Sequence, residues 1–297
     1  MQANGDGLSE LDYVAPSSVD DAVRALAGAP GAKVLGGGTD LIVQMRAGRA
    51  RPALIVDLKR IPGAIGVRRA ADGGFVIGAA TPGAVVGEDT ALARAWPGVV
   101  EAANLIGSTQ IQGRASLGGN LCNASPAADS VPALVAARAL CVVAGPGGRR
   151  EVAVEAIQTG PGRTSLAPDE FVLEFRLPPR PARAGDAYLR LIPRTEMDIA
   201  VVGAGVSLAL DGAGRIAAAH VALGAVAPTV LLVAEAGEAL VGSSLDEAAL
   251  ARLEQAAQRA CTPIDDKRGT AAYRTRIAGV LARRAANIAF SRASSPS

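Results

Sequence analysis

Histidine is almost missing from this chain: His220 is the only one in 297 residues. A single histidine leaves no Ser–His–Asp triad and no multi-histidine metal centre. Cysteine is nearly as scarce. Cys122, Cys141 and Cys261 show no C-x-x-C spacing, so neither a zinc site nor an iron–sulfur cluster is expected. Their odd number also argues against the disulfide framework of a small secreted protein. Cys122 lies two residues after Asn120, but a small buried apolar role is the ordinary fate of a free cysteine. Excess charge is missing too. The formal net charge is +2 and no basic stripe is interleaved with aromatics, so nucleic acid is not an expected partner. Among 30 basic residues only Lys33, Lys59 and Lys267 are lysines, a bias that reads as genome composition.

Long apolar runs are rare, and the longest candidate fails as a membrane span. Ile216–Ala234 covers 19 residues without a formal charge, enough to cross a bilayer. It contains His220, Gly224 and Pro228, and its β-branched residues fall on either side of the Gly-Pro break. Two short buried strands explain it better than one helix. The Met1–Asp12 segment is acidic and lacks an apolar core, so it does not read as a secretory signal. A cytoplasmic globular protein is expected, long enough for two domains.

What the chain does have is two glycine-rich turns about eighty residues apart. The first is Val34-Leu35-Gly36-Gly37-Gly38-Thr39-Asp40-Leu41 and the second is Ser116-Leu117-Gly118-Gly119-Asn120-Leu121. Glycine lets a backbone approach closely, take positive φ and aim N–H groups at an anion. Thr39, Ser116 and Asn120 add side-chain donors. Such chemistry suits a pyrophosphate held from two sides, with N–H groups of Gly36–Thr39 and Gly118–Asn120 as the expected donors. The nicotinamide fingerprint does not fit, because Gly36, Gly37 and Gly38 are consecutive rather than G-x-G-x-x-G. No lysine follows the glycines, which excludes a Walker A loop.

These motifs resemble those of the FAD-binding subunit of molybdenum hydroxylases, a family that includes the carbon monoxide dehydrogenase medium subunit and the xanthine dehydrogenase flavin domain. The first turn is similar to the family's A-G-G-T-D-L. The second, with Ser125-Pro126-Ala127-Ala128-Asp129 after it, is similar to T-I-G-G-N-L followed by S-P-x-x-D. Arg194-Thr195-Glu196-Met197-Asp198-Ile199-Ala200 resembles a third signature, and Asp266-Lys267-Arg268 with Tyr273-Arg274 a fourth. The resemblance spans nearly the whole chain and is silent on substrate.

It implies that residues 34–41, Ser116, Gly118, Gly119 and Asn120 touch the cofactor. Asp129 corresponds to a further polar contact such as a ribose hydroxyl; its competing role is a charge at a helix N-terminus. Ile106 falls at an apolar wall near the flavin, and Val172 at a backbone contact; either could equally be core. Arg190 stands where relatives can carry a lysine, and a cation beside the flavin's N1–C2 carbonyl edge would stabilise its reduced form. Arg194, Glu196 and Asp198 read as an inter-domain ion network. Many members of the wider p-cresol methylhydroxylase-type superfamily attach FAD through a histidine at the first glycine turn. None stands there, so non-covalent FAD is implied. No residue is assigned a catalytic or metal-binding role.

The implied fold class is α+β: a p-cresol methylhydroxylase-type two-subdomain FAD-binding fold plus a carboxyl-terminal three-stranded sheet with helices. Residues 1–180 would form the FAD-binding domain, with subdomains of about 1–62 and 63–180, and residues 185–293 the carboxyl-terminal domain. The local pattern agrees. Val19–Ala29 reads as a capped helix, Lys33–Leu35 and Leu54–Asp57 as short strands around a helical turn at Leu41–Ala47, and Ile65–Arg68 with Gly74–Ile77 as a hairpin. Pro97–Ile106 and Ala127–Ala137 look helical, Leu140–Ala144 and Phe171–Leu177 extended. Pro178–Gly185 reads as a linker. Beyond it Ile199–Leu210, Ile216–Leu223 and Thr229–Val233 form a meander, followed by helices over Leu245–Ala260, capped by Ser243 or Ser244, and Thr270–Phe290. Ser294–Ser297 is expected to fray.

The function implied is electron exit. A large molybdopterin subunit and a small subunit with two [2Fe–2S] clusters would deliver electrons to FAD here, for transfer to an external acceptor such as a quinone, NAD or oxygen, in a dimer of heterotrimers. The alternative is a free-standing flavin oxidoreductase of the same superfamily, for which the motifs offer no unpaired His, Cys or Tyr as acid or base. A non-enzymatic scaffold protein, its glycine turns serving only as tight loops, is the other rival.

Overall fold

The computed structural model describes residues 11–295. The Met1–Asp12 segment, apart from its last two residues, and the last two residues of the carboxyl-terminal tail lie outside the described residues. Strand β1 (Asp12–Val14), helix α1 (Val19–Gly28), strand β2 (Lys33–Leu35), helix α2 (Leu41–Arg46) and strand β3 (Leu54–Asp57) make the first layer. The strands run parallel in the order β1-β3-β2. Ser18 caps α1 by accepting from the Asp21 N–H, and Ala22, Val23 and Leu26 turn its apolar face onto β3.

A five-stranded antiparallel sheet follows. Its order is β4-β5-β10-β6-β7, formed by β4 (Val67–Arg69), β5 (Phe75–Gly78), β6 (Leu140–Gly145), β7 (Gly148–Ala153) and β10 (Phe171–Leu177). The β4–β5 hairpin turns through residues 70–74, where Gly73 donates to the Ala70 carbonyl. A run of helices fills the gap between β5 and β6: α3 (Gly83–Glu88), α4 (Thr90–Ala95), α5 (Pro97–Asn104), α6 (Thr109–Gln112), α7 (Leu117–Cys122) and α8 (Ser130–Ala136). Strands β8 (Gln158–Gly160) and β9 (Arg163–Thr164) form a small ribbon.

The last sheet has four strands rather than the expected three. They are β11 (Ala184–Leu191), β12 (Val202–Leu210), β13 (Ile216–Gly224) and β14 (Leu231–Leu232), antiparallel in chain order. The missed strand is β11, whose first residues fall in the stretch read as linker. Its composition, with glycine and aspartate among alanines, hides a strand that registers against β12 from Ala184–Ala209 to Leu191–Val202. Ile216–Ala234 holds β13 and β14, with the break at Pro228 between them, and His220 lies on β13. Burial lowers the His220 pKa.

Helices α9 (Ala234–Glu238), α10 (Glu247–Ala260) and α11 (Ala271–Ser294) complete the chain. Asp246 caps α10, in place of the expected Ser243 or Ser244, by accepting from the Ala249 N–H at 2.9 Å. Alanine decides how α11 packs. Ala278, Ala282, Ala285, Ala286 and Ala289 are all fully buried on the sheet, and the backbones meet so closely that a Cβ on Gly185 would stand 1.9 Å from the Ala289 carbonyl. On the opposite side α8 lies against β12 and β13. Gly205 and Gly224 make that approach possible, since a Cβ at either would come within 2.7 Å of Pro132. One core consequently runs from β5 and β10 through α8 to Tyr188 and Ala222.

Candidate cofactor site

Strand β2 ends at Leu35, and residues 36–40 turn the chain into α2. Gly38 has φ +81°, the left-handed conformation that favours glycine. Gly37 is tighter: a Cβ there would sit 1.7 Å from the carbonyl oxygen of Arg114, so the first turn rests directly on the backbone leading into the second. The N–H groups of Gly37, Gly38, Thr39 and Asp40 meet no acceptor among the described residues. Four consecutive donors left without a protein acceptor on a glycine turn are a backbone able to receive an anion.

The second turn is built differently, which corrects the expectation that its backbone donors are free. Ser116 caps α7 by accepting from Gly119 N–H at 3.2 Å, Asn120 N–H bonds the Ser116 carbonyl, and Gly118 N–H bonds the Ala79 carbonyl at 3.0 Å. These groups are engaged in starting α7 and tying it to the end of β5. Side chains are what this turn can offer. Ser116 Oγ accepts from Gly119 and keeps its own proton to donate. Asn120 Oδ1 accepts from both the Ser130 N–H and its hydroxyl, at 3.2 and 2.7 Å, which leaves the Asn120 amide NH₂ as a donor.

Between the turns lie two confluent hollows of about 260 and 290 Å³, which share Lys33, Val34, Gly36, Gly119 and Cys122. Each approaches the lower end of the range of roughly 300–1,000 Å³ usual for cofactor sites. The first is lined by all of residues 34–41 together with Ile106, Ser116, Gly119 and Asn120. The second adds Gly118 and Val172 beside the apolar walls of Leu26, Leu58 and Phe171. Gln44 and Asn123 also face the first hollow and share a hydrogen bond of 2.9 Å. Nothing in the sequence joins that pair, since 79 positions separate them and neither belongs to a glycine motif. Partial enclosure raises the Asp40 pKa. Cys122 keeps access to both hollows, and desolvation pushes its thiol up to about 12.

Asp129 and Arg190 meet each other and line neither hollow. Arg190 donates to Asp129 Oδ2 at 2.6 Å and to the Leu105 carbonyl at 2.9 Å, while the Tyr188 hydroxyl donates to Asp129 Oδ1 at 2.9 Å. Both side chains are under one-tenth exposed. Burial raises the Asp129 pKa, and its attraction to Arg190 and the Tyr188 hydrogen bond oppose that shift. The cluster ties α8 and the end of α5 to β11, one residue from the cleft-lining Ile106. The network expected from Arg194, Glu196 and Asp198 is also different. Asp198 pairs with Arg194 and Arg268, but Glu196 forms no ion pair among the described residues, and the network stays within the carboxyl-terminal sheet-and-helix layer. Links between the two halves come instead from Asp129–Arg190 and Glu101–Arg292.

Comparison with known proteins decides the family. Residues 9–180 match the model of the FAD binding domain in molybdopterin dehydrogenase. Residues 187–289 match the carbon monoxide dehydrogenase flavoprotein C-terminal domain. This chain belongs to the FAD-binding medium subunits of the molybdenum hydroxylases. The carbon monoxide dehydrogenase medium chain of Afipia carboxidovorans is 37% identical over 285 residues, which cover 95% of this chain and 98% of the relative. The putative xanthine dehydrogenase FAD-binding subunit of Escherichia coli K12 is 32% identical, covering 88% and 90%. A crystal structure of Cu,Mo-CO dehydrogenase superposes with a TM-score of 0.90 at 36% identity, over 95% of this chain and 98% of that one. Both glycine turns and both hollows lie within the first matched segment. No helix of the described residues is long and apolar enough to cross a membrane.

Proposed function

We propose that this chain holds FAD non-covalently in the cleft and serves as the electron-exit subunit of a molybdenum hydroxylase. Electrons would arrive from the two [2Fe–2S] clusters of a small subunit, supplied in turn by a large molybdopterin subunit, and leave to an external acceptor. Assembly as a dimer of heterotrimers in the cytoplasm belongs to the same reading, with residues 1–180 as the FAD-binding domain and 185–293 as the carboxyl-terminal domain.

The observation that carries the reading is the run of four open N–H groups from Gly37 to Asp40, whose residues all line the first hollow. A pyrophosphate needs many directed donors, and a dinucleotide needs apolar walls beside them. Residues 34–41 would cradle the phosphates, and Ser116 and Asn120 would donate from the facing side. Gly118 and Gly119 keep α7 close, while Ile106 and Val172 exclude water from the ring. Asp129 and Arg190 would act from behind this wall, where they fix the position of the Leu105–Ile106 backbone. When bound, FAD supplies a carrier that accepts two electrons and can release them one at a time.

Two outcomes are expected. Acid precipitation of the purified protein should release FAD into the supernatant, because the glycine turns carry no histidine for a covalent link. Flavin retained in the pellet, or FMN in solution, contradicts this. In anaerobic mixing, the isolated flavin-loaded chain should not be bleached by substrates that bleach the flavin of the assembled complex. Direct reduction of the isolated chain would make it a self-sufficient flavoenzyme.

A further inference from the structure

We propose that Lys59 is a positioning residue for the cofactor's phosphates, acting through the carbonyl of Gly36; this rests on the FAD reading above. Lys59 follows β3, and its ammonium reaches 23 positions back to donate to the Gly36 carbonyl at 3.1 Å. The same ammonium lies 2.7 Å from Asp57 Oδ2. Asp57 is buried and doubly held, accepting from the Tyr13 hydroxyl at 2.6 Å and the Lys59 N–H at 3.0 Å. Hydrogen bonds from Lys59 and Tyr13 overcome burial and lower the Asp57 pKa, so the carboxylate is charged and fixes the lysine head. Tyr13, Asp57, Lys59 and Gly36 thus form a chain of contacts that ends on the first glycine turn.

The consequence is directional. The Gly36–Gly37 peptide is trans and planar, so its C=O and N–H point in opposite directions. Anchoring the carbonyl to Lys59 fixes the Gly37 N–H on the other side, at the start of the four donors that meet no acceptor. Glycine is the residue least able to hold such an orientation by itself. An external clamp supplies what three successive glycines cannot. The residue type also fits. The chain has 30 basic residues and only three lysines, yet Lys33 lines the cleft and Lys59 clamps its turn. A compact ammonium can sit between a carboxylate and a peptide carbonyl, a place that a broader planar guanidinium fork fits less closely. Because Asp57 neutralises the ammonium, Lys59 acts by orientation more than by net charge.

The test uses the full-length chain stripped of flavin, with FAD, ADP and riboflavin as probes. Lys59→Met should weaken FAD and ADP binding about tenfold and leave riboflavin, which has no phosphate, unchanged. Tyr13→Phe, which loosens Asp57 without touching the turn, should shift FAD affinity the same way by a smaller factor, and Lys59→Arg should restore part of it. Thermal melting identifies the folded variants, and Tyr13→Phe keeps the test open if Lys59→Met does not fold. Wild-type affinity for FAD and ADP in a folded variant overturns the proposal, as does an equal loss of riboflavin. Failure of the wild-type chain itself to bind FAD would overturn the functional reading instead.

Discussion

Gly37→Ala is expected to strip the flavin and destabilise the protein together. The added methyl would stand 1.7 Å from the Arg114 carbonyl oxygen and 2.5 Å from its carbon, and no rotamer change can relieve a clash between a Cβ and a backbone. The two turns must part, at a cost of about 3 kcal/mol or more for an overpacked site of this kind. Gly119 makes the contrast. A Cβ there meets only Ser116 Oγ at 3.2 Å, and the position borders both hollows. Gly119→Val should therefore keep the fold while its branched side chain occupies cofactor space. Flavin content per folded molecule, measured beside the melting temperature, separates the two. A folded Gly37→Ala protein with full flavin would mean that the turns are not in contact.

Asp129→Ala should cost about 3–5 kcal/mol, far more than one polar contact. The reason is Arg190, whose side chain is only 6% exposed and would lose its carboxylate with no water to replace it. Tyr188 would lose its acceptor at the same time. The double variant Asp129→Ala with Arg190→Met should recover part of the stability, because a charge is no longer left unpaired. Denaturant unfolding of the two single variants and the double variant checks this. Single losses near 1 kcal/mol that simply add would show that the ion pair is solvated.

Much of the fold was legible in the sequence, and the exceptions share a cause. Apolar spacing and Ser18 mark α1, and the Gly-Pro break divides β13 from β14. Strand β11 escaped because Gly185 and Asp186 look like turn residues. In the structure Gly185 is small for the sake of Ala289, and Asp186 is buried beside Arg180. Both choices answer to neighbours about a hundred positions away or to an ion pair, not to local propensity.

The cleft divides the same way. Glycine spacing alone pointed to backbone donors at Gly36–Thr39, and the structure leaves those of Gly37–Asp40 open. Residue placement along the chain argued against metal clusters at the motifs, histidine-linked flavin and nucleotide loops that need lysine. Which backbone donors stay free was decided only in three dimensions. Residues 37–40 keep theirs, whereas Gly118 gives its N–H to Ala79, and Gly119 and Asn120 give theirs to Ser116. The meeting of Asp129 with Arg190, 61 positions apart, and of Lys59 with Gly36 likewise waited for the tertiary structure. A residue's type sets which bonds it can make, but the partner a long side chain finds depends on which distant strand the fold brings beside it.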